Sequence, residues 1–173
     1  MRLVSLFFTF LLFMVDIQAN EKEDLLKGVI LERISQFVTY KDTSEDFLIC
    51  VYKNKQMTNV FSDLFQQRKH RSEDIRIVNI SSIKNINTCD IFYAHKISKS
   101  TKKMILKKNL TYTLLVTDDV KLLDDGFMLA LYLQKNKIRF AINHQAIVDA
   151  QLKINYRLLK VASKVINPLK VQR

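Results

Sequence analysis

The sequence predicts an α/β fold: a single three-layer domain whose partly parallel sheet ends in an antiparallel hairpin, with helices on both faces. Three observations predict it. Helix-period and strand-length apolar patterns alternate from Glu23 to Thr117, and after Gly126 the rhythm changes to two strands around a short polar turn. The third is size. Of 173 residues, Met1 to Ala19 read as a leader, and residues 20–173 are enough for one sizeable core and too few for two.

The elements follow in order. Glu23 to Thr39 places Leu25, Leu26, Val29, Ile30, Ile34, Phe37 and Val38 at helical spacing, which reads as one apolar stripe. Thr43-Ser44-Glu45-Asp46 breaks that pattern, and Phe47 to Tyr52 is a continuous apolar run of the kind buried on both faces of a sheet. Asn54 can cap a helix running to Lys69, with Met57, Val60, Phe61, Leu64 and Phe65 inward. Ile75 to Ile80 reads as a second strand, Ser81 to Asn87 as a polar helical turn, and Cys89 to Ala94 as a third strand. Ser98 to Lys108 is a basic helix with Met104 and Ile105 inward, and Leu110 to Thr117 a fourth strand. Phe127 to Leu133 and Ile138 to Asn143 flank Gln134-Lys135-Asn136-Lys137 as a hairpin. Helical patterns close the chain at Ala146 to Gln151 and Tyr156 to Val165, with Pro168 as the stop.

Composition narrows the function classes. Apolar residues make up 48% and charged residues 26%, the usage of a folded domain rather than a disordered one. Two Gly and one Pro exclude collagen-like, linker-rich and Gly-loop architectures, and two Cys exclude a Cys-built zinc cluster. The net charge is +11, a balance that points to nucleic acid, anionic lipid or an acidic protein partner, or to a soluble surface biased toward Lys.

The N-terminus decides between these. Arg2 is a short positive start, Leu3 to Val15 an apolar stretch, and Asp16-Ile17-Gln18-Ala19 precedes the polar Asn20-Glu21-Lys22-Glu23. This is the layout of a cleavable secretory signal, with Ala19 the last residue removed; because Ile17 is a poor small-residue match before the cut, an uncleaved anchor is the alternative. Such a stretch would rise only about 20 Å as a helix, short of the ~30 Å of hydrocarbon a span must cross. Export makes nucleic acid a poor partner and leaves no stable membrane insertion once the signal is cut.

In an exported chain two cysteines default to a disulfide. Cys50 and Cys89 each sit at or in a predicted strand, and the first and third strands of a doubly wound sheet commonly neighbour each other. The alternative is a pair of buried free thiols acting as small hydrophobes.

An exported hydrolase would need a nucleophile, a base and an orienting group. There are three His: His70 lies in a cationic run, His95 ends the third strand, and His144 follows Asn143 at a helix start. No Ser stands on a tight Gly turn, and Asp118-Asp119 and Asp124-Asp125 read as turn and cap acids. No enzyme, cofactor or metal is expected. A rival to a purely protein-binding role is a module for a small anionic or nucleotide-like ligand, because Arg139, Asn143 and Arg157 gather around the hairpin and final helices and can surround a phosphate or carboxylate. Lys99, Lys102, Lys103, Lys107 and Lys108 form a basic face that can rest in solvent, on anionic lipid or on an acidic partner.

From about Asp24 to Ala162 the sequence resembles the YfiR/HmsC-like periplasmic regulatory proteins. The helix ending Phe37-Val38-Thr39-Tyr40 matches a family helix that ends in Phe-x-x-Trp-Pro. Phe47-Leu48-Ile49-Cys50-Val51 is similar to its FxICV strand, Cys89-Asp90-Ile91-Phe92 to CxILF, and Leu114-Leu115-Val116-Thr117-Asp118 to xLTVSD. Gly126-Phe127-Met128 resembles GGMI, Phe140-Ala141-Ile142-Asn143 resembles FEIN, and Lys153 to Ala162 resembles KISSRLLKLA. Tyr40-Lys41 stands in place of Trp-Pro, and Asp125 in place of one Gly. The resemblance implies a non-enzymatic periplasmic protein, usually a homodimer. Such a protein binds and represses the periplasmic sensory domain of an inner-membrane signalling enzyme, most often a diguanylate cyclase that makes cyclic di-GMP and controls biofilm. A histidine kinase is the alternative partner. The family's inter-strand disulfide maps onto Cys50 and Cys89, and Phe37 and Tyr40 fall among the residues expected to touch ligand or partner.

Overall fold

A computed structural model of the protein describes residues 21–41, 46–65, 69–70 and 73–167. The leader and the turn at Thr43-Ser44-Glu45 lie outside the described residues, as does Pro168. Helix α1 runs over residues 21–35. It is followed by β1 (Val38–Thr39), β2 (Phe47–Tyr52), α2 (Lys55–Phe65), β3 (Lys69–His70) and β4 (Glu73–Ile80). A single 3₁₀ turn (Ile86–Thr88) leads to β5 (Ile91–Ala94), α3 (Lys99–Leu106), β6 (Leu114–Thr117) and α4 (Leu122–Asp125). The chain ends in β7 (Leu129–Gln134), β8 (Lys137–Asn143), α5 (His144–Asp149), β9 (Lys153–Ile154), α6 (Tyr156–Val161) and β10 (Lys164–Ile166).

The main sheet has the order β10-β8-β7-β6-β5-β2-β4, and β3 adds two residues at the β4 edge. Strands β4, β2, β5, β6 and β7 are mutually parallel, β8 runs against β7, and β10 lies parallel to β8. The expected architecture, a mostly parallel α/β sheet with an antiparallel pair and helices around it, is what forms. Among the parallel strands the order reverses at one place: β2 leads first to β4 on one side and then to β5 on the other. Such a reversal opens a crevice at the carboxyl ends of the two strands flanking it.

The elements form where local chemistry favours them. In β2, Phe47, Ile49, Cys50 and Val51 are buried, so both faces of the strand are covered. Each such side chain contributes about 2 kcal/mol by leaving water. Asn54 caps α2 by accepting the Met57 N–H at 3.0 Å, and Met57, Phe61 and Phe65 point inward. Ser98 caps α3 in the same way, accepting the Thr101 N–H at 3.1 Å. The β7–β8 hairpin turns through Lys135 and Asn136, both with positive φ, the pattern whose twist matches the strands.

Several boundaries differ from the sequence expectation. The last helical pattern stops at Val161, and Lys164–Ile166 form β10 instead of a helix to Val165. Ser163 donates its N–H to Phe140 O at 2.9 Å, steering a β-branched segment onto the open edge of β8. Strand β6 begins at Leu114, because Tyr112 takes a positive φ and donates its N–H to Ala150 O at 2.7 Å. Helix α2 ends at Phe65, ahead of Lys69. On α3 Ile105 is buried but Met104 is 52% exposed, since adjacent helical residues diverge by about 100°.

Helix α1 departs most. Leu31, Ile34 and Val38 face the core, while Leu25, Leu26, Val29 and Phe37 are exposed. The inward face instead carries Asp24, Lys27, Glu32 and Ser35. Gly28 sets this rotation from one side, lying so close to α2 that a methyl group there would collide with Leu64. The polar partners to which Asp24 and Lys27 turn, Gln56 and Asp118, set it from the other.

Candidate functional site

The crevice at the strand-order reversal is a polar cleft of about 510 Å³. Its walls come from the first turns of α1 (Glu23, Asp24, Lys27), the β2–α2 junction (Lys53, Asn54, Gln56) and the residues just past β5 and β6 (His95, Lys96, Asp118). A parallel sheet delivers them there: His95 directly follows Ala94, and Asp118 directly follows Thr117, so neighbouring strands end side by side.

Several of these groups pair in two sets. His95 Nδ1 is hydrogen-bonded to Asp118 Oδ2. Lys27 Nζ lies 2.6 Å from Glu23 Oε1, one helical turn away, and 3.6 Å from Asp118 Oδ2. Gln56 donates to Asp24 Oδ2 at 3.0 Å, joining α2 to α1. The loop after β6 is fixed by two bonds, Asp119 N–H to Thr117 Oγ1 at 3.2 Å and Lys121 N–H to Asp119 Oδ1 at 3.0 Å.

Burial and charge divide the two aspartates. Burial pushes the Asp24 carboxyl above its ordinary range, and Lys27 offsets this only in part. Burial also acts upward on Asp118, but the bond and charge of His95, with Lys27, outweigh it and hold that carboxyl below the ordinary range. Beneath them Tyr93 is fully buried; desolvation first, then the carboxylates of Asp118, Asp24 and Glu23, pushes its phenol well above the usual tyrosine range. Beside the Glu23–Lys27 pair, the cleft therefore keeps one paired aspartate and one weakly compensated aspartate, with a neutral phenol beneath them.

The disulfide lies elsewhere on the sheet. Cys50 of β2 is bonded to Cys89, the residue after the 3₁₀ turn, with Cα atoms 5.8 Å apart. Asp90 locks the same junction, donating its N–H to Leu48 O at 2.9 Å and accepting the Leu48 N–H on Oδ2 at 2.7 Å.

The ligand or partner residues expected from the sequence sit away from the cleft. Because β8 runs antiparallel, Asn143 is at the end where the parallel strands begin. It is buried, caps α5 by accepting the Ala146 N–H at 3.1 Å and donates to Leu123 O at 2.8 Å. Arg139 on β8 and Arg157 on α6 are exposed. Phe37, 40% exposed at the far end of α1, accepts the Asn155 N–H at 2.8 Å, which sets it near the start of α6. Tyr40 is buried edge-on against Phe47 at 4.8 Å between ring centroids. Phe37 and Arg157 are thus drawn to one region, whereas Asn143 is committed to the fold.

Sequence reading missed Asp24, Lys27, His95 and Asp118 as a group. The available signal was positional: His95 and Asp118 are the first residues past consecutive parallel strands, where α/β sheets bind ligands.

No curated protein matches the sequence. Among solved structures the chain is similar to the ABC domain in complex with L-Trp from Streptococcus pneumonia, at 10% identity and a TM-score of 0.48, over 69% of this chain and 55% of that one. It spans about half the length of that structure, and a likeness at this level supports no argument about ligand. A family model described as YfiR/HmsC-like matches residues 24–163, from the first turn of α1 to the start of β10. With the ordered motifs and the cross-sheet disulfide falling inside that span, the chain belongs to the YfiR/HmsC-like family.

Proposed function

We propose that this chain is a non-enzymatic periplasmic regulator that binds the periplasmic sensory domain of an inner-membrane diguanylate cyclase and holds it inactive. The observation that carries the reading is the family match over residues 24–163, since the YfiR/HmsC-like family is regulatory, non-catalytic and periplasmic. The apolar leader from Leu3 to Val15 supports export, and a Cys50–Cys89 bond suits an oxidising compartment. Among the described residues no helix is long and apolar enough to cross a membrane. The family likeness also makes a homodimer the expected form.

In physical terms repression is differential binding: the regulator must prefer the off-state of its partner by several kcal/mol. Candidate contacts are the exposed apolar residues of α1, Leu25, Leu26 and Val29, with Phe37 at its end. Tagged protein recovered from native inner membrane after cross-linking tests the reading. The expected result is a covalent adduct with a membrane protein carrying a cyclase domain, and less adduct with Cys50→Ser. Adducts confined to soluble proteins would contradict it.

A further inference from the structure

The cleft at the strand-order reversal is unevenly compensated. Asp118 has both His95 and Lys27, and Glu23 has Lys27. Among the described residues Asp24, 8% exposed, takes its side-chain hydrogen bond from the neutral amide of Gln56, and the Lys27 ammonium, already held by Glu23 and Asp118, offsets its charge only in part. Behind it stands a second unsatisfied group. The Tyr93 hydroxyl is buried without a hydrogen-bond partner among the described residues. That hydroxyl lies within the field of Asp118, Asp24 and Glu23. The floor of the cleft thus sets three carboxylates against one ammonium and an imidazole.

At the rim the sign reverses. Lys53 follows β2 and Lys96 follows β5, both exposed and both with a left-handed φ of 48°. That conformation is uncommon for lysine. The 11-residue α2 begins just past Lys53, carries no acidic residue in its first turn, and presents the positive end of its dipole there.

From this polarity we infer that the cleft binds a small zwitterion, with an ammonium seated against Asp24 at the floor and a phosphate or carboxylate held at the rim by Lys53 and Lys96. A lone anion would meet the carboxylates of the floor, and a diamine would bring its second ammonium against the rim lysines. A ligand with one charge of each sign matches both zones, and the volume suits a small molecule. The site goes beyond the regulatory reading and stands on its own geometry, so it survives or fails whatever the partner proves to be.

Titration of the leader-free protein, followed by calorimetry and by amide NMR shifts at residues 53–56 and 93–96, tests it. The probes are O-phosphoethanolamine and β-alanine (zwitterions), ethanolamine (cation), inorganic phosphate (anion) and putrescine (dication). The expected result is saturable binding of at least one zwitterion, at least tenfold tighter than any singly or doubly charged probe. Asp24→Asn and, separately, Lys53→Gln with Lys96→Gln should each weaken binding tenfold or more while melting cooperatively. Sedimentation with vesicles containing phosphatidylethanolamine, but not with phosphatidylglycerol vesicles, would assign the ligand to a lipid headgroup; binding of soluble probes alone would assign it to a free solute. No saturable shift with any zwitterion, phosphate binding as tightly as O-phosphoethanolamine, or unchanged affinity in folded Asp24→Asn would overturn the inference.

Discussion

Lys27 Nζ lies 3.6 Å from Asp118 Oδ2, although the two residues stand at opposite ends of the parallel sheet's connectivity, one in the first helix and one past β6. The lysine side chain is only 5% exposed, so this contact anchors the polar face of α1 rather than decorating a surface. It fixes which face of the helix turns inward and, with His95, builds the floor of the cleft.

Replacing Lys27 with Met should therefore be costly. The change leaves Glu23 without its ammonium and Asp118 with His95 alone. Breaking a buried pair of this kind costs on the order of 3 kcal/mol. Urea unfolding at neutral pH checks this, and Lys96→Met on the exposed rim, which should change stability by less than about 0.5 kcal/mol, is the control.

The Cys50–Cys89 bond closes a separation of 39 residues. In the chain-entropy account a loop of that size is worth about 4 kcal/mol. The Cys50→Ala, Cys89→Ala double variant should lose stability of that order, and reduced wild-type protein should melt close to it. Thermal melts with and without a thiol reductant make the comparison.

The two cleft aspartates should respond to pH with opposite signs. Asp118 has a depressed carboxyl pKa when folded, so its stabilising contribution is present above the ordinary value of 3.8 and disappears as pH falls through the folded value. Asp118→Asn should be destabilised at pH 7, and the gap to wild type should shrink below pH 4. Asp24 has a raised pKa, so its charged form is a liability at neutral pH that is relieved on acidification. Asp24→Asn should be at least as stable as wild type at pH 7 and lose that advantage in acid. Unfolding curves between pH 3 and pH 8 read both.

Gly126 ends α4 with φ at 121°, a conformation L side chains rarely adopt. Gly126→Ala should cost about 1 kcal/mol or more, through backbone strain and through the close approach of the Leu106 side chain, and a lowered melting temperature would show it.

Much of the fold was legible because it is locally encoded. The run Phe47 to Tyr52 is apolar on both faces and could only be a buried strand, and Lys135-Asn136 makes the tight turn its neighbours require. The face of α1 was not legible, because counting apolar positions gives a stripe without saying what it meets. Asp24 and Lys27 turn inward toward partners dozens of residues away, and Leu25 and Val29 turn outward as a result. Strand β10 escaped for the same reason: Lys164-Val165-Ile166 becomes a strand only because the edge of β8 is open beside it. The pairing of His95 with Asp118 depends on strand order, which no local pattern in the sequence carries.

On the proposed reading, this chain restrains a membrane-bound cyclase from the periplasmic side. Cellular cyclic di-GMP, measured in the native host with the gene deleted and then restored, tests it most directly. The account predicts a rise on deletion and a return to the starting level with the restored gene; an unchanged or lowered level on deletion would contradict it.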